Sequence, residues 1–279
     1  MESTLLDPGR NGRARRALRR RMYRPFRHIR PNPSDAAPDR SLSVVTLNMA
    51  KERDPGIVVD AMRNAPRLRD ADLFLLQEVA TRDSNASAIE DAARDLGYFT
   101  LFQAAAPGVH DQGLALVSRY PIDDIEIKRL KACDLRFRER NRFAVSATVR
   151  TPWGGVRVWN AHLDTRINAA ERLEQLQPVI DAASRCTGPR LIAGDFNTNE
   201  LYWLGSFVPI PGGPSHRAAI RAAMKHHGFE MPLPGTLNTF PAFRRHLDWI
   251  FVRDLKSLAA SVEPVPFSDH NAIWARVGL

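Results

Sequence analysis

The chain has 279 residues, 44% of them hydrophobic and 25% charged, a balance that supports a sizeable buried core and excludes disorder over the whole length. Its net charge of +9 is uneven: residues 1–40 hold eleven Arg against four acids, which leaves the remainder nearly neutral. No apolar run is long enough to span a bilayer, the first residues lack the apolar stretch of a secretory signal, and the two cysteines form no zinc-type cluster, so a protein of the reducing cytoplasm is expected.

Residues 1–40 read as a basic arm and linker. The arginine-rich part (Arg10–Arg30) can attract nucleic acid or an anionic membrane surface by Coulomb forces, or stay solvated, and Pro31–Arg40 has linker composition. From residue 41 to 279 short β-branched runs alternate with helical patterns. Strands are predicted at Ser43–Met49, Asp72–Val79, Gly113–Ser118, Arg142–Arg150, Val156–Leu163, Arg190–Phe196, His246–Val252 and Asn271–Val277. Apolar residues at three- and four-residue spacing predict helices near Ile57–Arg69, Ala86–Leu96, Asn168–Ser184 and His216–His227. Thr151–Val156 reads as a hairpin turn, and Leu201–Pro214 is unusually apolar for a loop, fit to meet lipid or a hydrophobic leaving group, or to pack on the core. Adjacent hairpins mixed with crossover helices point to an α/β domain of mixed sheets flanked by helices.

The polar residues Asn48, Glu78, His162, Asp195, Asn197, Asp248, Asp269 and His270 all stand inside apolar strand runs or just past their ends. Burying so many such groups is costly unless they pair or bind metal, so they are expected to converge on one site at the strand termini. Six motifs, TLNM, LLQEV, NAHLD, GDFN, HLDWIFV and SDH, occur in one order from Ser43 onward. In that order they resemble the endonuclease/exonuclease/phosphatase superfamily, whose members have the deoxyribonuclease-I-like fold.

The resemblance implies a four-layered α/β sandwich and a Mg²⁺-dependent (or Mn²⁺-dependent) phosphoester hydrolase that cleaves a P–O bond by in-line attack of water. It implies Glu78 as principal metal ligand, with Asn48 and Asp269 adding oxygen ligands. His270 takes the place of the catalytic histidine, oriented by Asp248, while Asp195 and Asn197 position water and stabilise the phosphoryl oxygens. Whether His270 or Asp195 is the base stays open. His162 is implied to contact the phosphate or protonate the leaving oxygen, with Asn160 and Arg142 also implied at the phosphate. Arg172 and Gln175 are read as structural anchors of their helix, and Asp111 as a lesser partner of His162. Met49 and Ala50 after Asn48, and His162 in place of a tyrosine, depart from the apurinic-endonuclease branch. They move the chain toward the branch resembling deoxyribonuclease I, neutral sphingomyelinase and inositol-phosphate phosphatases. The partner is therefore an anionic phosphoester: nucleic acid on the first reading, phospholipid or inositol phosphate on the second. A third reading, an inactive adaptor for polyanions, sits poorly with an intact residue set.

Overall fold

A computed structural model describes residues 40–83, 86–105, 112–133 and 142–278. The expected arm (all but Arg40) and Asp111 lie outside the described residues. In chain order the first elements are β1 (Ser41–Asn48), α1 (Pro55–Asn64), α2 (Pro66–Arg69), β2 (Leu73–Asp83), β3 (Ala86–Ser87), α3 (Ala88–Leu96), β4 (Phe99–Ala104) and β5 (Gln112–Ser118). There follow β6 (Ile122–Arg129), β7 (Phe143–Thr151), β8 (Gly154–His162), α4 (Ala169–Arg185), β9 (Arg190–Asp195), β10 (Leu201–Leu204) and β11 (Val208–Pro211). The last are α5 (His216–His226), β12 (Asp248–Arg253), β13 (Lys256–Glu263) and β14 (Ala272–Gly278).

The strands form two mixed sheets. One runs β13-β14-β1-β2-β5-β4, with β3 added to β2, and the other runs β12-β9-β8-β7-β6. Period-two alternation divides each strand between two cores. Leu42, Val44, Leu73 and Leu75 of the first sheet meet Val145, Val158, Leu191 and Ile250 of the second in the central layer. On the outer face of the first sheet, Val45, Phe74 and Leu76 pack under α1, α2 and α3 through Val58, Met62, Leu68 and Ile89. Trp159, Ile192 and Phe251, on the outer face of the second, pack under α4 and α5 through Leu176, Ile180, Ile220 and Met224. Helix, sheet, sheet and helix thus stack as the four-layered sandwich that the resemblance implied.

Local sequence explains the helix boundaries. The helix predicted over Ile57–Arg69 is two, because Pro66 lacks an N–H and pushes Ala65 into an extended conformation (φ −85°, ψ 114°). Ser87 and Glu90 form a capping box at α3, and left-handed Gly97 ends it. Asn168 and Glu171 do the same at the start of α4. Strands β4, β6 and β13 were not foreseen; β13, rich in Ala and Ser, lies largely exposed at the sheet edge, so it lacks the apolar alternation that marks a half-buried strand. Leu201–Pro214 is no loop either, but contains the β10–β11 hairpin. Among the described residues no helix is long and apolar enough to cross a membrane.

Candidate active site

The site begins as one row of the second sheet's ladder. His162 at the end of β8 is register-paired with Asp195 at the end of β9, and Asp195 with Asp248 at the start of β12. The same row parity that sends Val158, Leu191, Ile250 and their neighbours into the central layer sends these three side chains toward the first sheet. Gly194 permits the arrangement: at φ 142°, a Cβ there would lie 1.9 Å from the carbonyl oxygen of Ala161, so only glycine lets β9 run against β8 just before Asp195.

The first sheet contributes Asn48 and Glu78. Asn48, last residue of β1, donates from Nδ2 to Asp195 Oδ2 at 3.1 Å. Alternation along β2 would aim Glu78 at the helices, on the side of Phe74 and Leu76. Instead the register with β5 slips between Leu76 and Val79, and Glu78 takes φ 48°, a left-handed conformation rare for a residue with a side chain. The bulge brings Glu78 Oε1 to 3.9 Å from His162 Nε2, while Asp195 Oδ2 lies 3.5 Å from the same nitrogen.

Asn160 explains how the bulge is held, and corrects its expected place at the phosphate. It is fully buried; its Nδ2 donates to the carbonyls of Leu76 and Ala115, and its Oδ1 accepts from Gln77 Nε2. Asn160 therefore satisfies backbone groups beside the bulge from the opposite sheet, with both ends of its amide engaged.

Opposite this row stands His270. Its Nδ1 is 2.8 Å from Asp248 Oδ2, which leaves Nε2 for the pocket. Ser268 fixes the loop by donating to the Asn48 carbonyl at 2.6 Å while accepting from the His270 N–H at 3.0 Å. Thr239 steadies the other side, accepting from the N–H groups of Leu247 and Asp248. Asn197 takes φ 52°, donates its backbone N–H to Asp195 Oδ1 and its Nδ2 to the Leu163 carbonyl, and lines the pocket. Asp269 is not drawn into the cluster: it is exposed, and its charge acts on His270 from outside.

Arg142 needs a second correction. It is buried, and its Nε donates to Asp164 Oδ1 at 2.8 Å. Asp164 also accepts from the Cys133 N–H and from Gln175 Nε2, and its carboxyl is held below the usual range: burial would raise it, but Arg142 and these donors outweigh burial. The Nε of the guanidinium is thus taken by a structural carboxylate, Nη2 is buried without a hydrogen-bond partner among the described residues, and Arg142 does not line the pocket. Arg172 donates to the carbonyls of Asp164, Thr165, Ile167 and Phe196 and to His216 Nδ1, so it and Gln175 anchor the segment between β8 and α4, as expected of them.

Electrostatically the site holds too many acids. Burial and the charge of Asp248 raise the Asp195 pKa. Burial opposes the charged form of His270, yet Asp248 overrides it and lifts the imidazole to about 10. Asp248 Oδ1 is buried without a hydrogen-bond partner. Ligand atoms of Asp195, Asp248 and His270 lie within 4.8 Å of one another, but two of these groups are already bonded together. The carboxylate that faces the pocket with accessible oxygen is Glu78, with Asn48 beside it. An oxygen-rich, acid-heavy donor set of this kind fits a hard divalent cation.

Around these groups opens a pocket of about 600 Å³ with aromatic walls. Trp203 comes from the apolar segment after GDFN, and Phe240 and Phe243 come from the stretch NTFPAFRR. Phe240 and Phe243 stack at 5.7 Å, and Phe240 also meets the His270 ring at 5.0 Å. Arg166 and Arg245 complete the rim. The signal available was the aromatic and arginine content of two polar-flanked turns, which has no fixed spacing to recognise.

Solved structures share this architecture. An endonuclease/exonuclease/phosphatase protein from Beutenbergia cavernae matches with TM-score 0.68 and 21% identity, over 86% of this chain and 72% of that one. TDP2 from D. rerio, solved with a single-strand DNA product, matches with TM-score 0.62 and 14% identity, over 86% of this chain and all of the other. The human Nocturnin catalytic domain, with a bound sulfate, matches with TM-score 0.60 and 17% identity, over 85% and 93%. No curated protein matches the chain. The family model for "Endonuclease/Exonuclease/phosphatase family" matches residues 45–270, most of the chain and every motif of the site, and the protein belongs to that family.

Proposed function

We propose that the protein is a Mg²⁺-dependent phosphodiesterase, hydrolysing a P–O bond of an anionic substrate by in-line attack of water. The observation that carries this reading is the meeting of Asn48, Glu78, His162, Asp195, Asp248 and His270, from both sheets, at one pocket. Glu78 and Asn48 would hold the cation, and Asp269, exposed beside His270, would add charge through water. When bound, the metal would neutralise charge on the phosphoryl group.

The remaining roles belong to the chain itself. Asp195, fixed by Asn48 and the Asn197 N–H, orients the attacking water. His270, held by Asp248, holds or moves a proton at Nε2, and Asn197 offers an amide to the developing phosphoryl charge. His162, between Glu78 and Asp195, is placed to protonate the leaving oxygen. The similarity to TDP2, solved with a single-strand DNA product, favours a nucleotide diester as the first substrate to try.

The test is turnover of a chromogenic phosphodiester with Mg²⁺ and with EDTA, beside calorimetric titration of the metal. Glu78→Gln is expected to weaken metal affinity and rate together, whereas His270→Ala removes turnover and spares metal affinity. Equal metal loss in both variants would contradict these roles, and no turnover of any phosphoester by a folded, metal-loaded sample would favour the adaptor.

A further inference from the structure

Among the described residues nine large hydrophobic side chains are exposed; five of them, Tyr202, Leu204, Phe207, Val208 and Ile210, are on the β10–β11 hairpin, whose Leu201 and Trp203 line the pocket, and a sixth, Phe243, lines the pocket itself. Leu204, Phe207 and Phe243 are more than half exposed. An isolated two-stranded hairpin is marginal in water, and this one is fastened to the body near its turn, where Asn168 Nδ2 donates to the Trp203 carbonyl and Asn168 Oδ1 accepts from the Trp203 N–H. Its outer strand β11 is exposed throughout. An exposed apolar face of this kind normally marks a contact surface.

Charge identifies the contact. From Leu201 to Leu247 the sequence has five Lys or Arg (Arg217, Arg221, Lys225, Arg244 and Arg245) and a single acid, Glu230. Arg217, Arg244 and Arg245 line the depression next to the pocket, together with Glu200, Pro211 and Phe243; Glu200 pairs with Arg217, so the excess positive charge rests on Arg244 and Arg245. An apolar face beside arginines matches the layering of a bilayer, in which acyl chains lie beneath anionic headgroups. A second copy of the chain would set these like charges against each other across a two-fold axis. Nucleic acid would use stacking rings, and the hairpin's exposed side chains mix Tyr202 and Phe207 with the aliphatic Leu204, Val208 and Ile210, which offer a base no ring to stack on.

We propose that the β10–β11 hairpin and Phe243 form a membrane-docking surface that seats the pocket mouth on an anionic phospholipid bilayer. The proposal stands on exposure and charge, independently of the chemistry assigned to the pocket.

The experiment is flotation of the full chain with phosphatidylcholine vesicles, with and without roughly a third phosphatidylserine. Binding is expected only to the anionic vesicles. Replacing Leu204, Phe207 and Ile210 together by Ser, which leaves every charge in place, should lower that binding about tenfold or more without changing the melting temperature. A separate Phe207→Trp variant should gain blue-shifted emission on anionic vesicles, quenched by brominated acyl chains. Unchanged vesicle binding by the triple variant together with an unquenched Trp would overturn the proposal. So would a dimer in light scattering that the triple variant dissolves, or loss of single-stranded oligonucleotide binding in a protein that never floats with vesicles. Docking is read without turnover, so an inactive chain that docks sinks only the hydrolase reading.

Discussion

Two charged clusters adjoin at the end of β8, where His162 belongs to one and Asp164 to the other, and they are built on opposite principles. Around Asp164 every acid has its cation or donor: Arg142, Gln175 and the Cys133 N–H converge on one carboxylate, and Arg172 saturates the carbonyls beside it. Around Asp195 the reverse holds. Asp248 and Glu78 crowd in, one carboxylate oxygen of Asp248 has no partner, and two histidines are the nearest compensation. The Asp164 carboxylate is fully served by donors, although Arg142 Nη2 beside it has no partner, whereas the Asp195 group carries acids that its own donors do not match. That excess is what a hard cation would answer.

The largest effect should come from the Asp195 cluster: His270→Ala is expected to cost roughly a thousandfold or more in turnover with the fold retained, checked by rate and circular dichroism on one sample. A loss of only a few-fold would put the chemistry elsewhere. In the Asp164 cluster the consequence should be stability instead. Arg142→Ala leaves Asp164 buried and uncompensated and should cost about 3–5 kcal/mol in chemical denaturation, while KM for a small diester stays within about twofold if enough folded protein remains. A raised KM with unchanged stability would return Arg142 to the phosphate.

Asn160→Ala tests the strut between the sheets, with about 1–3 kcal/mol of stability lost and kcat reduced through the loosened Glu78 bulge. The last check is acid sensitivity. His216 and His246 are buried, and burial lowers each to about 4 from an ordinary 6.5. His216 Nδ1 accepts from Arg172 and His246 Nδ1 from the Leu237 N–H, so both rings are held neutral. The unfolded chain binds more protons between those two values, so this contribution is whole above pH 6.5 and is lost as pH falls toward 4. A melting temperature that is flat over that window would show that neither ring is held neutral.

Much of the sandwich was legible because central strands such as Ser43–Met49 and Arg190–Phe196 are apolar runs that the structure places within a residue or two. Acids at their ends stood out against that background, which is why Glu78, Asp195 and Asp248 were found. Arg142 and Asn160 share the same strands and motifs, but what decides their role is the partner across the sheet, and no spacing rule reveals Asp164 or the carbonyls of Leu76 and Ala115. Backbone departures are equally silent: nothing in LLQEV announces a left-handed Glu78. Phe240, Phe243 and Arg166 were missed because turns bring them to the rim, and turns carry no period.

That His162, Asp195 and Asp248 occupy neighbouring rungs has a consequence for inheritance. Their mutual spacing is set by peptide hydrogen bonds between strands, about 4.8 Å per step, so it does not depend on which aliphatic residues fill the layers above and below. Core composition can drift far while those three groups keep their positions, whereas a one-residue slip of β9 would turn Asp195 to the opposite face and dismantle the whole triplet at a stroke.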